Sequence, residues 1–313
     1  MPKPKEIWKA LVRAVDAFVE DDCVTFAAAL AYYAVFSLPP LLFLIAILAG
    51  GLIGWDAIEI RIFESIQSTI GPAVAEQLRE ALHSYGPRLR PDSLMIVGSS
   101  AVLLFAATGV LVQLQNALNR AWAVQPDPKR GYVHNMIARR LLSLGMIVVL
   151  TVVMLGSVLI GTVVAIAGEG MSYYLPEGFS EPVLQALDLG AGFAIFFVAV
   201  AAVFGIMPDA KVELRDIWIG SAVTAGLLTI GKFGVSLYLG SRDVAETFGP
   251  AAALAVLLLW IYYSSMILLF GAEFTHAWSS RAGRSIAPAD GAVAVIKAQI
   301  QRTEPTPDES AHA

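Results

Sequence analysis

One cysteine, four histidines and a 15% share of charged residues among 313 positions leave little material for several kinds of protein. The lone Cys23 excludes an internal disulfide and offers no metal-ligand spacing. The histidines stand at 83, 134, 276 and 312, with no His-x-His-x-Asp-His run. Metal-dependent hydrolysis of RNA phosphodiesters needs clustered ligands near water, so that chemistry has no material here and no metal, cofactor or catalytic residue is expected. A basic excess is also missing: 21 Lys and Arg face 26 Asp and Glu, for a net charge of -5. The basic stripe of a nucleic-acid binder is therefore absent. A soluble domain would carry about 25% charge, well above this chain. No cleavable leader is visible after Met1-Pro2-Lys3-Pro4-Lys5, since the first apolar run continues past a signal-peptide length, and that run is read as a retained span.

What the chain does have is apolar length: 57% hydrophobic residues and a mean hydropathy of +0.68, with the charges gathered at the ends of long runs. The pattern predicts an all-α, polytopic membrane bundle of six transmembrane helices with interfacial amphipathic helices. The expected spans are Val24 to Ile53, Leu94 to Leu118, Ile137 to Ala167, Val183 to Met207, Ile217 to Leu239 and Ala251 to Trp278. Pro39-Pro40 lies inside the first span, where each proline removes a backbone donor and a kink is expected. Carbonyls freed there need protein or a wet cavity, which makes Ser37 to Pro40 either a cavity lining or a purely structural bend. Ser157 with Gly161, and Ala222 with Gly226, lie one turn apart and are expected to let neighbouring backbones approach.

Residues 1–20 read as an amphipathic helix, with Ile7, Trp8, Leu11, Val12, Val15, Phe18 and Val19 on one face. It either lies on the membrane or packs on the protein's own cytoplasmic surface. Residues 55–91 read as two amphipathic helices divided at Gly71-Pro72 and capping the bundle from the periplasm, within a membrane domain of 21–280. Beyond it, 281–313 is a polar cytoplasmic tail whose end is expected to be disordered. With six spans, fifteen of the 21 Lys and Arg fall on the side of the termini and five on the other, with Lys232 within a span. This bias places both termini in the cytoplasm.

At this point ordered motifs become recognisable. Asp21-Asp22-Cys23-Val24-Thr25-Phe26-Ala27-Ala28-Ala29-Leu30-Ala31-Tyr32-Tyr33 with Ser37-Leu38-Pro39-Pro40, then Ala117-Leu118-Asn119-Arg120-Ala121-Trp122, resemble the signature of the YihY/virulence factor BrkB family. So do Asp216-Ile217-Trp218-Ile219-Gly220, Gly231-Lys232-Phe233 with Tyr238, Trp260-Ile261-Tyr262 and Gly271-Ala272-Glu273-Phe274. The resemblance implies a bacterial inner-membrane protein with six spans. Members once carried a ribonuclease BN label, now regarded as a misassignment, and transport or envelope-lipid export is the usual suspicion for them.

Gly226-Leu227-Leu228-Thr229-Ile230-Gly231-Lys232 imitates a P-loop by spacing, but Phe233 replaces the required Ser or Thr and no strand precedes it. Lys232 itself sits about 24 Å from the Asp216 end of its span, where a charge is expensive. Its two readings are a partner or wet cavity inside the bundle and snorkelling to the outer interface. Asp188 is the acid at compatible depth, so a Lys232–Asp188 pair is expected. Tyr32, Tyr33, Ser37, Pro39 and Pro40 are the further candidates for a substrate path. Asp21, Asn119, Arg120 and Glu273 are candidates for a cytoplasmic gate, against the plainer reading of charges that fix orientation and helix ends. The expected function is a transporter, exporter or flippase-like permease of an unidentified solute or envelope lipid. The alternative is a non-catalytic scaffolding protein of the cell envelope. The expected partners are membrane lipids, a second copy of the chain and an envelope protein engaged through 55–91, with no nucleic acid.

Overall fold

The proline-containing run forms a single helix, α2 (Cys23–Ile53), unbroken through Pro39 and Pro40. It is preceded by α1 (Pro4–Glu20) and a turn in which Asp22 adopts a left-handed conformation at φ 55°. Aspartate tolerates that region better than most residues, and Thr25 Oγ1 donates to Asp22 Oδ1 at 3.0 Å to hold the turn. These elements come from a computed structural model that describes residues 4–85, 102–174, 180–241, 252–281, 283–284 and 286–295. After α2 come α3 (Trp55–Ile70), α4 (Pro72–Tyr85), α5 (Gly109–Ala121), β1 (Val124–Pro126) and a 3-10 turn at Pro128–Arg130. Then follow α6 (Tyr132–Tyr174), α7 (Ser180–Ile206), β2 (Ala210–Lys211), α8 (Leu214–Ser241), α9 (Ala252–Arg281), β3 (Ala287–Pro288) and β4 (Ala292–Ala294).

Among the described residues, five helices are long and apolar enough to cross a membrane: Cys23–Gly51, Val102–Ala121, Tyr132–Val164, Gln185–Ile206 and Ala253–Arg281. The chain is thus an all-α membrane protein. The remaining expected span forms α8, a helix of 28 residues that carries Arg215, Asp216 and Lys232 and is not among those five. Part of the second expected span, 94–101, lies outside the described residues, as does 86–91 of the amphipathic segment.

Two ends of the bundle are distinct. At one, α3 and α4 cap the helices: Phe63, Val74, Leu78 and Leu82 form a core with Phe43 of α2 and with Ala253 and Leu257 of α9. The division falls at Gly71, whose φ of 114° ends α3, and Pro72 opens α4 at the position where no N–H is needed. At the other end, here the terminal end, α1 packs its small residues Ala10 and Ala14 against Phe274 and Trp278 of α9. Ile7, Trp8, Val12, Val15 and Val19 stay exposed on the opposite face. Alanine wins the packed face because close helix approach needs small side chains, while the large apolar residues are left for a surrounding phase.

The close helix approaches are not at the small pairs the spacing picked out. A Cβ added at Gly161 or Gly226 would meet nothing within 4 Å. Small residues matter only where a neighbouring helix lies over them, and that happens on α8 and α9 at other positions. A Cβ at Gly220 would come 1.8 Å from Thr275 Oγ1, and one at Gly271 would come 1.8 Å from Thr224 Oγ1. Gly220 and Thr224 on α8 thus interlock reciprocally with Thr275 and Gly271 on α9, and the two helices run antiparallel. Each threonine hydroxyl donates to the carbonyl of the glycine one turn before it, Thr224 to Gly220 at 2.8 Å and Thr275 to Gly271 at 2.7 Å.

The polar stretch after α9 is partly built into the terminal end. β4 pairs antiparallel with β1 (Val124 opposite Ala294), and β3 with β2 (Ala210 opposite Pro288). Arg284 ties the strap down through Asp216 at 2.7 Å and Glu213 at 3.4 Å, and Lys211 Nζ meets Asp290 Oδ1 at 2.7 Å. That last contact holds the Asp290 carboxyl below its ordinary range, by hydrogen bond and by charge. The sequence reading of a polar tail contained no sign of these strands, which are too short and too alanine-rich to carry a pattern. The end of that tail, 296–313, lies outside the described residues.

Candidate functional site

Lys232 is half-buried on α8 and lines a cavity of about 330 Å³. Arg61, Glu64 and Ser65 of α3 close one side, Ser157 and Gly161 of α6 another, and Gly192 of α7 a third. The rest of the lining is apolar, with Met154 and Val158 of α6 and Ile195 and Phe196 of α7, two of the spanning helices. Polar groups beside such helices are costly unless they face each other or water. Arg61 and Glu64 pair at 3.5 Å and are both well exposed, so they form the mouth of the cavity rather than its floor. Among the described side chains none forms an ion pair with Lys232. Asp188 stands on α7 one turn before Gly192, and its side chain is outside the described ones, as is any pair with Lys232.

The other path candidates lie elsewhere. Tyr32 and Tyr33 are exposed on the outside of α2, in edge-to-face contact with each other, and Tyr32 also meets Phe36. Ser37 is buried and does not reach the cavity; its Oγ accepts from Val110 N of α5 at 3.2 Å. Pro39 and Pro40 lie within the continuous α2, away from Lys232. The backbone interruption with an evident consequence is opposite them, at Thr108 just before α5. There the Val110 amide goes to the Ser37 hydroxyl, and Thr108 Oγ1 donates back to Leu104 O at 2.7 Å. Gly109 permits the approach, because a Cβ there would be 2.9 Å from Ser37 Oγ. Broken backbone in a membrane persists only where a neighbour satisfies it, and Ser37 is that neighbour.

The gate candidates gather at the terminal end, where Asp21 and Arg120 pair with each other and Glu273 and Asn119 take partners outside the set. Asp21, almost fully buried, pairs with Arg120 Nε at 3.2 Å. Glu273, equally buried, accepts from Cys23 Sγ at 3.6 Å, two residues from Asp21. Asn119 instead grips Asp209, donating from Nδ2 to Oδ2 at 2.7 Å and accepting from the Asp209 amide at 2.8 Å. Gln115 adds a third bond to Asp209 Oδ1 at 3.3 Å. Asp209 is the functional candidate that sequence reading missed; its signal was the Pro208-Asp209 pair directly after a span. Nearby, Trp122 is fully buried and donates from Nε1 to Ala272 O at 3.0 Å, and His276 Nδ1 meets Ala121 O at 2.8 Å. The ends of α2, α5, α7 and α9 are thereby locked to one another by polar side chains.

This interlocked end is built from the motif residues Asp21, Cys23, Asn119, Arg120, Trp122, Asp216, Gly220, Gly271, Ala272 and Glu273. The family model "Virulence factor BrkB" matches residues 14–293. Similar proteins include a UPF0761 membrane protein of Alkalilimnicola ehrlichii, 27% identical over 85% of this chain and 57% of the relative. Another, from Halorhodospira halophila, is 26% identical over 82% of the chain and 54% of its own length. The chain thus spans little more than half the length of these two relatives. A UPF0761 membrane protein of Psychromonas ingrahamii is 24% identical over 88% of this chain and 89% of its own length. No solved structure matches. With the family model covering most of the chain, this protein belongs to the virulence factor BrkB family of membrane proteins.

Proposed function

We propose that the chain is a transporter, of exporter or flippase-like permease type, acting on an unidentified solute or envelope lipid. The observation that carries this reading is the cavity of about 330 Å³ around Lys232, partly polar and walled on two sides by the spanning helices α6 and α7. A volume of this order falls within the range of small-molecule sites, and its cation is placed where a charge needs a function or a partner. In this reading Lys232 is the path's fixed charge and Asp188 its counter-ion. The terminal-end cluster of Asp21, Arg120, Asn119, Asp209 and Glu273 is the gate that closes the path. The chain is no enzyme and binds no nucleic acid; its companions are membrane lipids and a second copy of itself.

The proposed setting is the bacterial inner membrane, with α8 as a sixth span and both termini cytoplasmic. The basic residues at the terminal end support that orientation through the positive-inside bias. The test is reconstitution in liposomes with a lipid-scrambling and solute-uptake panel, comparing wild type with Lys232→Gln. Flux above empty vesicles that falls in the variant is expected. Equal flux from both at the empty-vesicle level overturns the reading. A charge-swapped Lys232→Asp, Asp188→Lys chain should recover flux lost in either single variant.

A second reading, a scaffolding protein of the envelope, is favoured by the α3–α4 cap. Its outer side is held by ion pairs of Glu59 with Arg79 at 3.7 Å and with His83 at 3.0 Å, a charged face suited to a protein partner. Crosslinking from exposed α4 positions in cells distinguishes it: one specific adduct with no reconstituted flux supports the scaffold.

A further inference from the structure

A second basic recess lies at the terminal end, far from Lys232. Two adjoining cavities, about 240 and 500 Å³, share Asn116, Gln125, Pro126 and Arg139. Arg120 lines the first and Arg140 the second. No aspartate or glutamate is among the lining residues of either. Among the described residues, only Arg120 of the three guanidinium groups has a carboxylate partner, Asp21, so the recess keeps a net positive lining.

Arg139 and Arg140 are positioned by neutral groups, which leaves their charge unspent. Arg139 Nη1 donates to Asn116 Oδ1 at 2.7 Å, while its Nε is buried with no acceptor among the described residues. Arg140 Nη1 donates to Phe105 O at 2.8 Å and to Thr108 Oγ1, and its guanidinium lies 3.9 Å over the Phe105 ring. Planar forks fixed in this way suit the paired oxygens of a phosphate better than a single point charge would. The edge of the recess is apolar and faces outward: Phe105 is 63% exposed, Tyr132 84% and Met136 42%. A ligand that satisfies both parts is anionic at one end and hydrocarbon at the other.

We propose that the recess between α5, β1 and the start of α6 binds the phosphate headgroup of an anionic membrane lipid. Arg139 is its central ligand, Arg120 and Arg140 flank it, and Asn116 holds Arg139 in place. The acyl chains leave over Phe105 and Met136 into the bilayer. The site is distinct from the Lys232 cavity: Arg139 and Met154, which lines that cavity, are separated by about 22 Å along α6. It stands whether or not the chain transports.

The experiment uses the full chain in dodecylmaltoside, stripped of lipid. Dioleoylphosphatidylglycerol, dioleoylphosphatidylcholine and inorganic phosphate are titrated separately and read by thermal shift and native mass spectrometry. Phosphatidylglycerol is expected to bind about tenfold tighter than phosphatidylcholine, a difference worth one charge-assisted contact. Arg139→Gln and Arg140→Gln should each lose about fivefold or more of that affinity. Gln125→Glu, on the exposed rim of β1, adds a carboxylate without removing an arginine contact and should weaken the lipid equally, which decides the matter if the arginine variants fail to fold. Unchanged phosphatidylglycerol affinity in Gln125→Glu and in any arginine variant that folds overturns the site. Inorganic phosphate binding as tightly as phosphatidylglycerol overturns the lipid as its occupant.

Discussion

Gly220→Ala is the sharpest structural test, because one added carbon meets an atom that is not free to move. The new Cβ would stand 1.8 Å from Thr275 Oγ1, 3.0 Å from its Cβ and 3.3 Å from its Cγ2. Rotating the threonine away breaks its bond to Gly271 O, worth about 0.6 kcal/mol inside a membrane bundle. Leaving it in place forces α8 and α9 apart, and overpacking of this kind costs about 1–3 kcal/mol. The expected loss is therefore about 2–3 kcal/mol, or roughly 3–5 °C in melting temperature for a chain of this length. Gly271→Ala should cost the same by the reciprocal contact with Thr224. The assay is thermal unfolding of purified protein in detergent, followed by size-exclusion fluorescence. Adding Thr275→Ala to Gly220→Ala removes Oγ1 and Cγ2 and leaves the Cβ contact of 3.0 Å, which a shift of a few tenths of an ångström relieves. At least half the loss should return. If Gly220→Ala melts within about 1 °C of wild type, the interlocked helix pair is refuted as a determinant of stability.

Three further outcomes follow from the terminal end. Asn119→Ala removes both of its hydrogen bonds to Asp209 and should destabilise by about 2–3 kcal/mol, whereas Asn119→Asp sets two carboxylates together and should cost more, both read by melting. Gly291→Ala should release the C-terminal strap, since its φ of 96° disfavours a side chain and the new Cβ would run into the Arg130 guanidinium; faster hydrogen exchange over 286–295 with an unchanged helical core is the expected result. Asp290→Asn should loosen the same strap at neutral pH. Because the folded-state pKa of Asp290 is lowered, its contribution is present above the carboxylate's ordinary value and is lost as pH falls through the depressed one, so wild type and variant should exchange alike in strong acid.

The membrane class, the extent of most helices and the division at Gly71-Pro72 were legible because they depend on local chemistry. Apolar length, proline's missing donor and glycine's freedom at φ 114° act on a residue whatever lies around it. The cluster of Asp21, Arg120, Asn119 and Glu273 was legible in the same way, since polar residues at span ends share a depth. Most partner identities were not, because depth says nothing of azimuth around the bundle. Asn119 therefore took Asp209, Glu273 took Cys23, and Tyr33 faces outward rather than toward Lys232.

The same limit governs the small residues. Every glycine at i and i+4 looks alike along the chain, yet among the described residues only Gly220 and Gly271 have a threonine pressed against them. The amino-acid order of this protein decides that it is helical and that it belongs in a membrane, because those follow from the chain's own periodicity and solvation. Which helix stands beside which, where Ser37 rescues a broken turn and where three arginines share a recess arise only once the helices pack, because each depends on contacts between segments distant in sequence.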